Sequence, residues 1–231
     1  MSIVETAMAK RRQGEGPVVT PVAAVPSLSE TTGSFTASTR LRGPSMEVRI
    51  AELRERGALA PDKYDREISH QFRRIKRGLL RHMNAESDLL SDRCIIVTSA
   101  LPGDGKTFAS TNLGFALALE TDRSVLVIDA DSYRCSLSKA FGLQDRRGLM
   151  DLLVDHTLRP EEVIFDTDVP GLQLMAAGST EGLPSELIAS RRMRDILRWC
   201  IVANPARLLL IDTPPVLATT CLLYTSPSPR D

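Results

Sequence analysis

Four short apolar runs punctuate the chain: CIIV at 94–97, SVLVID at 124–129, LQLMAA at 172–177 and RLLLID at 207–212. Apolar stretches of this length without polar alternation predict strands covered on both faces, the pattern of a parallel sheet. Helical periodicity separates them. Residues 107–120 predict a helix in which Phe108, Leu113, Leu117 and Ala118 or Ala109 face the sheet. A second helix, opened by Pro184, Ser185 and Glu186, is predicted to reach about Val202 with Leu187, Met193, Ile196, Leu197 and Cys200 turned inward. Strand and helix in alternation predict an α/β fold, a mostly parallel sheet flanked by helices. The stretch after 130 reads as irregular and ends in GLMDLLVD, and no internal repeat is visible.

The first half carries a different pattern. Ile68, Phe72, Ile75, Leu79 and Met83 recur at helical spacing, and Arg66, Arg73, Arg74, Lys76, Arg77 and Arg81 occupy the other face of the same 65–83 segment. That face reads either as a solvated edge helix or as a subunit contact. A helix over 45–60, stopped by Gly57, is predicted before it. Residues 1–12 can form a short amphipathic helix, and Gln13 to about Pro44 reads as a linker without periodicity. These features divide the chain into 1–58, a 59–220 domain, and a final segment 221–231. The last segment, CLLYTSPSPRD, turns polar where another helix and strand are expected. It resembles translated adapter sequence, so the expectation is a domain that is incomplete at its C-terminal side, with edge strands lacking neighbours.

Composition narrows the function classes. A length of 231 residues suits one α/β domain, and the formal net charge of zero gives no argument for nucleic acid as a partner. No apolar stretch approaches membrane-spanning length, and the N-terminus lacks a signal-peptide pattern. The four cysteines have no paired spacing, which favours reduced thiols over disulfides or zinc.

The chemistry begins where the first strand breaks into SALPGDGKT, residues 99–107. Strand, glycine-rich loop, Lys-Thr and helix is the layout of a phosphate-binding loop, whose backbone N–H groups converge on an anion at a helix N-terminus. The expected cradle is Pro102, Gly103, Asp104, Gly105, Lys106, Thr107 and Phe108, with Lys106 on the β and γ phosphates and the Thr107 hydroxyl on Mg²⁺. Ala100 stands where the strict motif has glycine. Asp129 and Asp131 close the next strand, in position for Mg²⁺ coordination and for deprotonating an incoming hydroxyl or water. Asp212 closes a third strand and matches the Walker B acid, which holds Mg²⁺ directly or through water. Catalysis is therefore expected at Lys106, Asp129, Asp131 and Asp212, and metal binding at Thr107, Asp129 and Asp212.

The combination SALPGDGKT, VLVIDAD at 125–131 and LLIDTPPVL at 209–217 resembles the bacterial tyrosine kinases, P-loop enzymes of capsule and exopolysaccharide production. The opening MSIVETAMAK, the segment QFRRIKRGLL and LPSELIASRRM at 183–193 look closest to the exosortase/exopolysaccharide-associated branch. The resemblance implies an ATP- and Mg²⁺-dependent tyrosine autokinase that does not itself span the membrane. It also implies a cytoplasmic location, peripheral at the inner membrane through a membrane-located chain-length or export activator. Homo-oligomers formed through the 65–83 helix are a further implication. Departures bear on each point. His70, Arg73 and Lys76 replace the Glu–x–x–Arg–x–x–Arg contact pattern, Cys135 follows Arg134 where proline is usual, and no tyrosine-rich tail is present. Leu101 stands where partitioning and septum-positioning ATPases carry a second lysine. Such an ATPase, or an inactive fragment, is the alternative reading.

Overall fold

The computed structural model describes residues 43–83, 89–179 and 184–216. The expected helix at 1–12, nearly all of the linker that follows it and the 221–231 segment lie outside the described residues.

Among the described residues six strands form one sheet: β1 (Ser45–Met46), β2 (Cys94–Val97), β3 (Ser124–Asp129), β4 (Ile164–Thr167), β5 (Leu172–Met175) and β6 (Arg207–Asp212). Their order is β1-β4-β5-β3-β6-β2, and every pair is parallel except β4 with β5. The central strands β3 and β6 are buried along nearly their whole length, as their unbroken apolar runs require. Alternation along β3 divides the core into two layers. Val125 and Val127 meet Leu113 and Leu117 of one helix, α4 (Lys106–Ala118). Leu126 and Ile128 meet Ile196, Leu197 and Cys200 of α8 (Arg191–Ala203) on the opposite face.

Differences from the sequence reading have local causes. The 45–60 segment is not one helix: it gives β1 and then α1 (Ile50–Glu55). The region after 130 contains α5 (Ser136–Ala140), α6 (Leu149–Val154) and strand β4. The helix expected from Pro184 to Val202 is broken into α7 (Pro184–Ala189) and α8, because the Ser190 hydroxyl accepts the Met193 N–H at 3.2 Å and caps a new helix. In α2 (Asp65–Leu80) the buried stripe is rotated from the expected one. Ile75 is exposed, and Lys76 takes the inward position, its stem buried and its ammonium paired with Glu120. Phe108 turns toward this helix instead of the sheet, meeting Phe72 edge-on at 6.2 Å between ring centroids. Arg66, Arg73, Arg74, Arg77 and Arg81 are all exposed. A remaining helix, α3 (Leu90–Arg93), leads into β2, whose one strand partner among the described residues is β6. Ile96 of that strand is exposed.

Candidate nucleotide site

β2, β3 and β6 lie side by side and in register, so their C-terminal ends form one crevice, the usual ligand position of an open α/β sheet. Asp129 is directly opposite Asp212 across the β3–β6 pair, and Val97 is opposite Asp212 across β2–β6. The loop from β2 to α4 closes the crevice. Gly103 and Gly105 have φ of 95° and 84°, so both need the left-handed region that glycine enters without penalty. An added Cβ at either would meet open space, so conformation and not crowding selects glycine there. Ala100 has no such requirement, because Cys135 is the one non-glycine with positive φ among the described residues. The substitution at the motif position is therefore free of backbone strain. Asp104 closes the loop on itself by accepting the Leu101 N–H at 2.9 Å.

The crevice is anchored from the β6 side. Thr213 donates its N–H and its hydroxyl to the Val97 carbonyl at 3.0 and 3.1 Å, and the Val216 N–H reaches the Ser99 carbonyl at 2.9 Å. Pro214 and Pro215 thus lie against the root of the loop.

Lys106, the first residue of α4, holds its ammonium 3.4 Å from Asp131 Oδ2 and 3.5 Å from Asp212 Oδ1. The Thr107 hydroxyl donates to Asp212 Oδ2 at 3.0 Å. Lys106, Thr107, Asp131 and Asp212 therefore converge on one point. Asp212 Oδ1 is buried and accepts no hydrogen bond, although Lys106 lies nearby. Burial pushes the Asp212 carboxyl up from its ordinary value, and Lys106 and the Thr107 hydroxyl oppose that shift.

Asp129 is turned elsewhere. Its Oδ2 accepts both the N–H and the hydroxyl of Ser138 at 2.8 Å, and its Oδ1 accepts the Asp131 N–H at 3.1 Å. Burial, chiefly, pushes this carboxyl up to about 6 against the pull of the Ser138 hydrogen bonds. Two buried carboxyl groups, those of Asp131 and Asp212, thus share the Lys106 ammonium, while Asp129 is held by Ser138.

An open cavity of about 600 Å³ lies over the loop. Pro102, Gly103, Gly105, Lys106, Thr107 and Phe108 line it, whereas Asp104, expected in the cradle, does not. The cavity also takes in Arg56, Arg134 and Lys139, three cations absent from the sequence expectation. Arg56 comes from the end of α1, and its guanidinium is held by the carbonyls of Lys139 and Ala140. Ser138 and Arg56 had no motif to reveal them. They reach the site from other segments through tertiary contacts.

No protein-family model matches the chain. Curated proteins do. The chain is 40% identical over 126 residues to the tyrosine-protein kinase ptk of Acinetobacter johnsonii, covering 54% of this chain and 17% of that one. With CapB of Staphylococcus aureus it shares 31% over 159 residues, 69% of this chain and 66% of the relative. Among solved structures it is similar to the BceF tyrosine kinase domain (TM-score 0.53, 34% identity, 64% of this chain and 56% of that chain). The kinase domain of Escherichia coli tyrosine kinase ETK gives a TM-score of 0.51 at 32% identity, covering 57% of this chain and 50% of that one. The chain belongs among the bacterial tyrosine kinases. It spans less than a fifth of the length of ptk. The P-loop fold expected from the motifs is the fold of these kinase domains. Among the described residues no helix is long and apolar enough to cross a membrane.

Proposed function

We propose that this chain carries the catalytic domain of an ATP-dependent protein tyrosine autokinase serving exopolysaccharide production or export. The observation that carries the reading is the convergence of Lys106 and Thr107, at the start of α4, on Asp131 and Asp212 at the ends of β3 and β6. A triphosphate seated on the loop would lie along the α4 N-terminus. Its negative charge would meet the loop N–H groups and the Lys106 ammonium, which moves from its carboxylate partners to the phosphate oxygens. Asp131, beside Lys106, takes the proton of an incoming tyrosine hydroxyl. Asp129, fully buried with both oxygens engaged, anchors the turn that presents Asp131 and does not itself touch ligand.

Mg²⁺ suits Asp212 Oδ1, once Lys106 turns from it to the phosphates, and the neighbouring Thr107 hydroxyl. Among the described residues no three acidic, His or Cys side chains cluster as a complete metal site. When bound, the ion would neutralise charge on the phosphates.

In the same reading the chain is cytoplasmic and works at the inner membrane through a membrane-located activator. The structural likeness to the chimerical protein CapA2B2, with a TM-score of 0.57 at 26% identity, supports looking for such a partner. The exposed arginine face of α2 is the candidate surface for self-association.

The test is incubation with γ-labelled ATP and Mg²⁺ followed by phosphotyrosine detection. Labelled protein is expected, with a loss of about 100-fold or more in Lys106→Met. Release of inorganic phosphate with no labelled protein would overturn the kinase reading in favour of an ATPase.

A further inference from the structure

Among the described residues, four cations line the cavity over the phosphate loop and no carboxylate does: Arg56, Lys106, Arg134 and Lys139. Two of the four are already committed. Lys106 faces Asp131 and Asp212 and, in the kinase reading, turns to the phosphates. The Arg56 guanidinium is held by Glu52 and by the Lys139 and Ala140 carbonyls. Arg134 and Lys139 differ from both. They are exposed, and neither forms an ion pair with a carboxylate among the described residues. Lys139 spends one of its three N–H donors on the Arg134 carbonyl at 2.7 Å, which fixes the two residues to one turn.

That turn has a definite place in the crevice. The sheet order sets β2 and β3 on opposite sides of β6. The phosphate loop leaves β2, whereas Arg134 and Lys139 follow β3, in the turn and helix that begin after Asp131. The Arg134 N–H donates to Asp131 Oδ1 at 3.2 Å. The main chain that carries this guanidinium is therefore fixed to the carboxylate that takes the acceptor's proton. A tyrosine whose hydroxyl reaches Asp131 passes its flanking residues along the wall that Arg134 and Lys139 provide.

We infer that Arg134 and Lys139 form an acceptor subsite that selects tyrosines flanked by aspartate or glutamate. The inference rests on the kinase reading above. Carboxylates beside the tyrosine pair with a guanidinium and an ammonium that have no carboxylate of their own. Both cations are exposed, so little desolvation opposes the pairing and water limits its strength. The preference is expected at about three- to tenfold at low salt, fading as ionic strength rises. Flanking contacts are the same before and during transfer, so the effect falls on the acceptor's KM and not on kcat.

The experiment uses the full chain with Mg²⁺ and saturating ATP. Three synthetic peptides of equal length carry one tyrosine flanked by glutamate, glutamine or lysine, and labelling is followed against peptide concentration at low and high salt. The glutamate peptide is expected to have a KM about three- to tenfold below that of the glutamine peptide, with the gap closing at high salt. Arg134→Glu leaves the main-chain bond to Asp131 in place and should reverse the order in favour of the lysine peptide. A merely structural role for Arg134 does not produce that reversal. The milder pair Arg134→Gln with Lys139→Gln should erase the glutamate preference. Equal KM for the glutamate and glutamine peptides overturns the inference and leaves the kinase reading standing. So does a rise in the KM for ATP in Arg134→Glu with the peptide order intact, which assigns these cations to the nucleotide. Self-labelling of the chain with no labelling of any peptide overturns it as well. Absence of any phosphotyrosine overturns both readings.

Discussion

Ser138 shows how a side chain without a motif controls a motif residue. Its hydroxyl donates to Asp129 Oδ2 at 2.8 Å and accepts the Ala177 N–H at 2.9 Å, with the whole residue buried. Replacing it by alanine leaves a buried carboxyl and a buried N–H each short of a partner. Ser138→Ala should cost about 1–3 kcal/mol, read as a lower urea midpoint with an unchanged slope. Asp129 has a second consequence. Its carboxyl is pushed from an ordinary 3.8 to about 6, so between those values the folded chain holds a proton that the unfolded chain has released. Stability must then fall as pH rises from about 4 to about 6, by on the order of 2–3 kcal/mol. Urea melts of the nucleotide-free chain at a series of pH values check this, and Asp129→Asn should flatten the decline. Lys106, Thr107, Asp131 and Asp212 were legible in the sequence because loop and strand-end positions fix where such side chains go. Ser138 and Arg56 were not, because only the packing of α5 and α1 brings them to the site.

The elements divide along the same line. β3 and β6 declared themselves through apolar runs that only a doubly covered strand can use. β1 and β4 are two and four residues long with partly exposed ends, and carry no pattern that distinguishes them from loop, although Ile164 and Phe165 of β4 are buried in the core. In α2 the periodicity was right but the rotation was not, since a lysine stem with a carboxylate partner replaced Ile75 against α4. Two joints between elements give predictions. Gly148 opens α6 where an added Cβ would stand 2.0 Å from the Ala176 carbonyl oxygen, an approach no side chain tolerates. Gly148→Ala should therefore cost about 3 kcal/mol or more, measured by thermal melting. Arg93, buried at the end of α3, donates to the Ile201, Asn204 and Arg207 carbonyls at 3.4, 3.3 and 3.0 Å, and to that of Pro205. It satisfies the C-terminal end of α8 from another element. Arg93→Lys should recover little of the stability lost in Arg93→Ala, because an ammonium cannot span the same set of acceptors.

Taken together, the loop, the acids and the α4 N-terminus form a site only when β2, β3 and β6 are assembled. Ligand binding and folding are therefore linked. A nucleotide held at about 100 times its dissociation constant should add about 2.7 kcal/mol to stability and raise the melting temperature by several degrees. Lys106→Met should lose most of that rise, read as the difference between its own melting temperatures with and without nucleotide. The order in which the strands are made adds a constraint of another kind. β2 carries the phosphate loop, yet the strand it pairs with begins more than a hundred residues later: Cys94 lies opposite Leu209. At ordinary rates of synthesis that separation is about 6–23 s of translation. Throughout that interval β2 has none of the strand pairing described here, and the loop has neither Asp212 nor the Thr213 anchor to fix it. A ribosome-bound chain should therefore be unable to retain nucleotide until β6 has cleared the exit tunnel, so the emerging polypeptide stays without ligand until its core is built.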